Sequence, residues 1–527
     1  MLKWDRKRAK IKKTKNQEYV ISDFYRPLFQ CITTIIDEDE NKSANLQFSL
    51  DNPDDVPLIN AVENDKQFGK NSIESNFQAN NLLFLGDNAS VLSHLAENGF
   101  KNTIDLVYID PPFMTNTNFY KDIRIRKGKN NKKKAYTKLT KQKQYNDKWE
   151  IDEYLSFLYQ RLLLIKTLLK PTGSIYLHLD ENCVHYIKVI MDEIFGMDNF
   201  RRDITWNTAS LNVAGFKGQV RDNWIYGAGH ILFYTMSDTY TFNTQFIPRS
   251  KDFIKRKYQN EDEKGRYRIT RRNNKIYLKD DKGEPMINIW NDILSFNYAK
   301  IASKESVFYP TQKPEKLISR IIKASSNPGD TVLDCFMGSG TTLAVAEKLH
   351  RRWFGCDINP VSVHIASKRL QRIVSPESRR KFLIYKPRPP KENPNIENLD
   401  IFKFDVKRNG NEITIIISEV KNDNILRNLN NCDPENDATL KILEKGKEAL
   451  AENHLEKYSL CDSIFIELYA EKSNDFFHIH YSDVPKKRDK SILGRYRFKV
   501  KTEDNFRIRI KLVDIFGQIY ISKTKQC

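Results

Sequence analysis

Short apolar runs alternate along this chain with longer stretches of helical spacing. Leu82-Leu83-Phe84-Leu85 ends at Gly86-Asp87-Asn88, which predicts a strand and then a turn, and residues 90–95 have helical spacing. Ile104–Ile109 predicts a second buried strand. It must stop at Asp110-Pro111-Pro112-Phe113, because proline lacks the N–H that a ladder needs. Residues 151–169 put Tyr154, Leu155, Leu158, Leu162, Ile165 and Leu169 on one helical face. Pro171-Thr172-Gly173 closes that helix, and 174–179 predicts the next strand. A second amphipathic helix follows over 181–195, and 231–234 is a further apolar strand.

The rhythm breaks over 237–306, a polar and basic stretch with clustered aromatics that reads as an insertion. It resumes with a helix at 314–324, a strand at 331–335, a glycine-rich turn, a helix at 341–349, a strand at 353–356 and a helix at 361–373. Strands alternating with helices predict parallel βαβ units in an α/β, doubly wound sheet. A proline-rich linker at 387–395 leads to residues 396–527, where runs at 413–417, 463–468 and 506–513 and a hairpin over 508–522 suggest a smaller C-terminal β-rich domain. Residues 1–75 read as a basic N-terminal arm and lead-in, and 76–386 as the principal domain.

Charge sharpens this picture. The chain of 527 residues carries 87 Lys+Arg against 68 Asp+Glu, a formal charge of +19. Residues 1–16 hold eight basic residues against Asp5, and residues 121–148 hold twelve against Asp122 and Asp147. These two segments carry nearly the whole excess, and such runs point to a polyanion, nucleic acid being the usual one. The second lies in a loop, 114–150, directly after Asp110-Pro111-Pro112-Phe113. No apolar run reaches the length of a membrane helix, the basic N-terminus lacks the apolar core of a secretory signal, and the seven cysteines form no CxxC pair. A cytoplasmic protein with no membrane partner and no readable metal site is expected.

Two segments carry candidate chemistry. Asp334-Cys335-Phe336-Met337-Gly338-Ser339-Gly340 follows a strand and opens a helix, so its backbone can approach a ligand closely. It is not a phosphate-binding Walker loop, because no Lys-Ser/Thr follows the second glycine. The next strand ends at Asp357, where an acid can accept hydrogen bonds from ribose hydroxyls. The second segment, Asp110-Pro111-Pro112-Phe113, fixes a carboxylate and the Pro111 carbonyl as two acceptors beside an aromatic face, which suits a flat base with an exocyclic amine. The plainer readings are a nucleotide-binding turn and an ordinary strand-ending turn.

Together these segments resemble the β-class DNA amino-methyltransferases that use S-adenosylmethionine (AdoMet). Asp110-Pro111-Pro112-Phe113 matches their catalytic tetrad, and Phe336-x-Gly338-x-Gly340 their AdoMet loop, in the β-class order. Thr311-Gln312-Lys313-Pro314 matches the motif flanking the cofactor site. The stretch 173–180 with His185-Tyr186-Ile187-Lys188 is similar to the modification subunits of type III restriction systems and their solitary relatives. The resemblance covers roughly residues 80–375 and implies a Rossmann-like sheet, with the insertion at about 237–306 as the target-recognition region. It implies AdoMet as cofactor, bound by Asp334, Phe336, Gly338, Gly340 and Asp357, with Asp87 and Lys313 as further candidates, Lys313 toward the methionine carboxylate. For Asp87 the competing role is a helix cap.

The implied partner is double-stranded DNA, with a restriction subunit and a homodimer left open. Asp in the first tetrad position accompanies N6-adenine in the family and Ser accompanies N4-cytosine, so adenine is expected, with cytosine as its rival. The residues also admit a binding protein without catalysis, an RNA methyltransferase, and a methyltransferase fused to a nuclease that uses Asp405, Glu419 and Lys421.

Overall fold

The computed structural model describes residues 80–126, 136–208, 224, 226–296, 305–307, 309–373, 382–387, 401–410, 412–421, 461–470, 492–499, 506–514 and 519–526, together with short strands at 11–13, 19–21, 29–35, 58–60, 478–479 and 481–483. The lysines at 127–134 and the linker residues 388–395 lie outside the described residues.

The principal part of the chain builds β1 (Asn81–Leu85), α1 (Asn88–Glu97), β2 (Ile104–Ile109), β3 (Asn118–Arg126), β4 (Tyr136–Asn146), α2 (Ile151–Leu168), β5 (Leu169–Leu179), α3 (Val184–Phe195), β6 (Phe200–Asn207) and β7 (Ala228–Thr235). After the insertion come β8 (Ile289–Trp290), α4 (Glu315–Ser325), β9 (Thr331–Asp334), α5 (Thr341–Lys348), β10 (Arg352–Asp357), α6 (Pro360–Gln371) and β11 (Phe382–Pro387). The central sheet runs β8-β6-β7-β5-β2-β9-β10-β1-β11, then continues with Phe29–Ile35 and His478–Ile479. The six strands from β5 to β11 are parallel to their neighbours, and β7 and Phe29–Ile35 pair antiparallel at either side.

Strand alternation explains the two layers. On β2, Ile104, Val107 and Ile109 enter a core with α1, α2 and α3, whereas Leu106 and Tyr108 enter a second core with α4, α5 and α6. On β1, Leu82 and Phe84 go to the first core and Leu83 to the second. The sheet is therefore doubly wound, with an α/β Rossmann-like arrangement. Among the described residues no helix is long and apolar enough to cross a membrane. Cys183, Cys335, Cys356 and Cys461 are buried and free.

Three features differ from the sequence expectation. The segment read as a loop over 114–150 contains a long antiparallel ladder between β3 and β4, with Asn118 opposite Asn146 and Arg126 opposite Tyr136. β6 was not expected: its charged positions interrupt an alternation that buries only Ile204 and Trp206. The insertion returns to the central sheet at β8, where Thr205 pairs with Ile289. Within the insertion, a three-stranded meander (Asn260–Asp262, Gly265–Ile269, Lys275–Tyr277) follows a short helix, Lys251–Lys257. Its centre is polar: buried Asp281 accepts from Tyr258 Oη and from Arg249 Nε at 3.3 Å, and forms an ion pair with Arg268 at 3.6 Å.

The C-terminal strands form two antiparallel groups. β12 (Phe402–Asn409), β13 (Glu412–Val420) and β15 (Arg495–Lys499) make one, which Leu58–Asn60 extends in parallel. β14 (Cys461–Ala470), β16 (Phe506–Asp514) and β17 (Ile519–Ile521) belong to the other. Asp462 on β14 accepts from His364 Nε2 at 2.6 Å and from Lys368 Nζ at 2.7 Å, joining this region to α6.

Candidate active site

Because β1, β2, β9 and β10 are parallel, their C-terminal ends open on one edge, where open α/β sheets place ligands. Asp87, Asp110, Asp334 and Asp357 stand at those four ends and line one cavity of about 310 Å³. Pro111, Pro112, Phe113, Lys313, Phe336 and Gly338 line it too. Gly340 does not. Its φ is +71°, and a Cβ there would lie 2.6 Å from the Ala366 Cβ, so Gly340 lets α5 pack against α6.

The glycine turn is wired to the acid on the next strand. Asp357 accepts from the Gly338 N–H at 3.0 Å and the Asn359 N–H at 2.8 Å. Gly338 has φ +48°, and a Cβ there would press on the Tyr309 ring at 3.1 Å. Asp334 accepts from the Phe336 N–H at 3.0 Å. Burial pushes Asp357 up to about 6. Burial, with the nearby Asp110 and Asp357 charges, pushes Asp334 up to about 7 against bonds from Thr342 and Phe336.

Asp87 serves both as a cap and as a wall of the cavity. It caps α1 by accepting from the Ser90 N–H at 3.1 Å, and its other oxygen accepts from Arg161 at 2.8 Å. Arg161 is buried, bonds Asn88 Oδ1 at 2.7 Å and lies 3.8 Å over the Phe157 ring. Asn88 in turn donates to the Cys335 carbonyl at 3.1 Å, tying the first turn to the glycine turn.

At the end of β2, the Asp110 Oδ2 accepts from Lys313 Nζ. Burial raises the Asp110 carboxyl above its ordinary range against the pull of Lys313. The other oxygen, Oδ1, is buried with no hydrogen-bond partner. His178 Nδ1 is 3.6 Å from it, too far for a bond, and lies 3.0 Å from Tyr108 Oη. Burial, with the Lys313 and His230 charges, holds His178 well below its ordinary value, so it is neutral. Burial, with Asp110 and Asp334, holds the Tyr108 phenol protonated. Tyr108 Oη and His178 Nδ1 share a hydrogen bond whose donor is set by the imidazole tautomer, and the 3.6 Å gap leaves Oδ1 without a bond from that nitrogen.

Residues outside the motifs set the turn. Tyr154 Oη donates to the Pro112 carbonyl at 2.7 Å. Buried Asp147 accepts from the Met114 N–H at 2.9 Å, the Thr115 N–H at 2.9 Å and Thr115 Oγ1 at 2.6 Å. Trp149, Phe157 and Phe336 form an aromatic wall, with ring centroids 4.8 Å and 6.0 Å apart in sequence. The Trp149 Nε1–H on that wall is buried and unpartnered. Gln312 positions Lys313: its side chain bonds the Val307 N–H and the Glu305 carbonyl, each at 2.9 Å, and Pro314 caps α4.

A sequence family described as DNA methylase (N6_N4_Mtase) matches residues 104–368, half of the chain. The chain belongs to this family of DNA methylases. The methylase is 34% identical over 221 residues to the type II methyltransferase M1.MboII of Moraxella bovis, covering 41% of this chain and 79% of that one. It is 25% identical to the type II methyltransferase M.EcaI of Enterobacter cloacae, covering 56% of this chain and 70% of that one. To the StyLTI Mod subunit, a type III restriction-modification enzyme of Salmonella typhimurium, it is 28% identical, covering 52% of this chain and half of that one.

DNA methylases of this family take the methyl group from AdoMet, and the cavity fits that cofactor. AdoMet carries a sulfonium and an ammonium, and the walls bring five carboxyls together with a single lysine. Its adenine is flat, and the Trp149–Phe157–Phe336 wall offers apolar faces and an unpartnered N–H donor. Glu419 pairs with Lys403 at 2.8 Å, Asp405 is exposed, and among the described residues no group of three or more His, Cys, Asp or Glu is placed to hold a metal.

Proposed function

We propose that this methylase transfers the AdoMet methyl group to the N6 amine of adenine at a specific sequence in double-stranded DNA, with the target base flipped into the cavity. The observation that carries this reading is Asp110, which lines the cavity with Phe113 and keeps one buried carboxyl oxygen, Oδ1, without a hydrogen-bond partner. An amine conjugated to a purine ring is a poor nucleophile, because its lone pair is delocalised. Asp110 Oδ1 and the Pro111 carbonyl accept its two N–H groups, localise the lone pair and aim it at the donor. Phe113 stacks on the base, which recovers part of the few kcal/mol that flipping costs.

When bound, the cofactor supplies an activated methyl group: the carbon–nitrogen bond forms as the carbon–sulfur bond breaks, its electron pair staying on sulfur. The surplus proton on nitrogen passes to the Asp110 carboxylate. Asp357 would hold the ribose hydroxyls, and the Gly338 turn, bonded to Asp357, would help to hold the cofactor. Lys313, assigned by resemblance to the methionine carboxylate, bonds Asp110. Asp in the first tetrad position supports adenine over cytosine.

The insertion over 237–306 reads base edges, and the basic segment after the tetrad holds the DNA backbone. Similarity to a type III Mod subunit supports a second chain as the source of any DNA cleavage.

The test is expression in a methylation-deficient bacterial host beside Asp110→Ala, followed by sequencing that detects modified bases. N6-methyladenine at one recurring motif, absent with the variant, is the expected result. N4-methylcytosine at the motif overturns the base assignment, and methylation undiminished by Asp110→Ala overturns the catalytic assignment.

A further inference from the structure

Asp110 poses an electrostatic problem. A carboxyl buried at a strand end drifts toward its protonated form, and a protonated Asp110 cannot accept from the amine through both of its oxygens. The charged and titratable groups facing it come from every adjoining element: Tyr108 on β2, His178 on β5, Asp334 on β9, Tyr309 before α4, and Lys313. His178 and both tyrosines are neutral, and Asp334 adds negative charge when ionised. Only Lys313 among these brings positive charge.

The geometry divides the carboxylate. Lys313 Nζ takes Oδ2 and sits 5.1 Å from the centroid of the Phe113 ring, so one side chain touches both the acceptor and the stacking face. Oδ1 is left buried and unpartnered, on a residue that lines the cavity. A buried acceptor without a donor costs free energy that an incoming N–H recovers.

We propose that Lys313 is the positioning residue of the reaction: it holds Asp110 as an anion, fixes its rotamer through Oδ2, and reserves Oδ1 for the amine of the target base. This rests on the reading given above, and it differs from a cofactor-carboxylate clamp in what it changes. A clamp governs AdoMet affinity. A positioning lysine governs the pH at which Asp110 becomes an acceptor.

The experiment is single-turnover methyl transfer at saturating AdoMet on a duplex carrying the motif found by genomic sequencing. It compares wild type, Lys313→Met and Lys313→Arg over about pH 5 to 9, with AdoMet binding measured by calorimetry. In Lys313→Met the acid limb of the rate profile moves up by at least about one pH unit, and activity recovers toward alkaline pH. Lys313→Arg keeps the wild-type limb. AdoMet affinity changes by no more than about threefold, well under the tenfold that 1.4 kcal/mol represents.

Lys313 is not among the groups that act on Asp334 or Asp357, and the Asp110 charge raises Asp334, so a more protonated Asp110 moves a limb set by Asp334 down rather than up. If Lys313→Met does not fold, Lys313→Gln replaces it and moves the limb alike. An unmoved limb, or an activity loss matched by weakened AdoMet binding, overturns the lysine's role and leaves the methyltransferase reading intact. A wild type that methylates no DNA overturns both.

Discussion

Asp147 closes the turn that follows Asp110-Pro111-Pro112-Phe113, although 33 residues separate it from Met114. Its carboxylate receives two backbone N–H groups and one hydroxyl. Bonds to a charged acceptor contribute about 1.5–3 kcal/mol each, so the three amount to roughly 5–9 kcal/mol before desolvation of the acid. Against this, the turn holds Met114 at φ +59° and Asn116 at φ +56°. Left-handed backbone costs about 1–2 kcal/mol per residue, so roughly 2–4 kcal/mol of strain is stored there. The balance predicts that Asp147→Ala releases the turn and frees Phe113, while the sheet and the glycine turn stay in place.

A misplacement of about 1 Å at the reacting groups costs on the order of 100-fold in rate. We therefore expect kcat for methyl transfer to fall about 100-fold, equivalent to about 2.7 kcal/mol. AdoMet Kd should stay within a few-fold of wild type. Steady-state kinetics, calorimetry and hydrogen exchange at the Met114 and Thr115 amides measure the three consequences. A variant with normal kcat and undiminished protection of those amides would refute the reasoning.

Further outcomes follow from other contacts. Gly340→Ala combines a strained φ with a 2.6 Å approach to Ala366, so it should lose about 2–4 kcal/mol in urea unfolding and weaken AdoMet binding. Asp334 is held near 7 when its ordinary value is about 3.9, so the folded protein keeps a proton that the unfolded chain has released between about pH 4 and 7. Its ionisation therefore opposes folding above pH 7, and this opposition fades as pH falls. The difference in Tm between Asp334→Asn and wild type should be more favourable to the variant at pH 8 than at pH 5, and equal differences would sink the argument. In the meander, Arg271 and Arg272 are exposed at a turn fixed by bonds among Thr270, Asn273 and Asn274. If this tip enters a DNA groove, Arg271→Ala with Arg272→Ala relaxes the methylated motif at one or two positions, at about 1–3 kcal/mol per lost base contact, and an unaltered motif at unaltered rate excludes the tip from base reading.

The parallel strands were legible because their apolar runs are short, pure and punctuated by Gly, Pro and Asp at the ends that carry chemistry. The acids at 87, 110, 334 and 357 and the glycine turn could be placed together for that reason. β3 and β4 were hidden because twelve basic residues over 121–148 swamp any alternation. β6 was hidden because Arg201, Arg202 and Asp203 occupy most of its first half. Asp147 had no local signal: its role exists only once β4 returns it to the start of β3. Arg161 did leave a signal, a lone cation beside Leu158 and Leu162 on a buried helical face, where only a fixed acidic partner makes a charge tolerable. The pairing of Lys313 with Asp110 spans 203 residues, and no spacing rule reaches that far.

The neighbours β2 and β9 come from opposite sides of the insertion, which has a consequence in time. Asp110 and Asp334 are 224 residues apart in the chain. At about 5–20 residues per second of synthesis, roughly 11–45 s separate their appearance. During that interval β2 has a free apolar edge on the side that β9 will occupy, and unpaired edges of this kind invite aggregation. Phe29–Ile35 waits longer still for β11. A nascent chain therefore leaves the ribosome with Asp87, Asp110, Trp149 and Phe157 made but the glycine turn and Asp357 missing, so the cavity is incomplete until the second half closes the sheet.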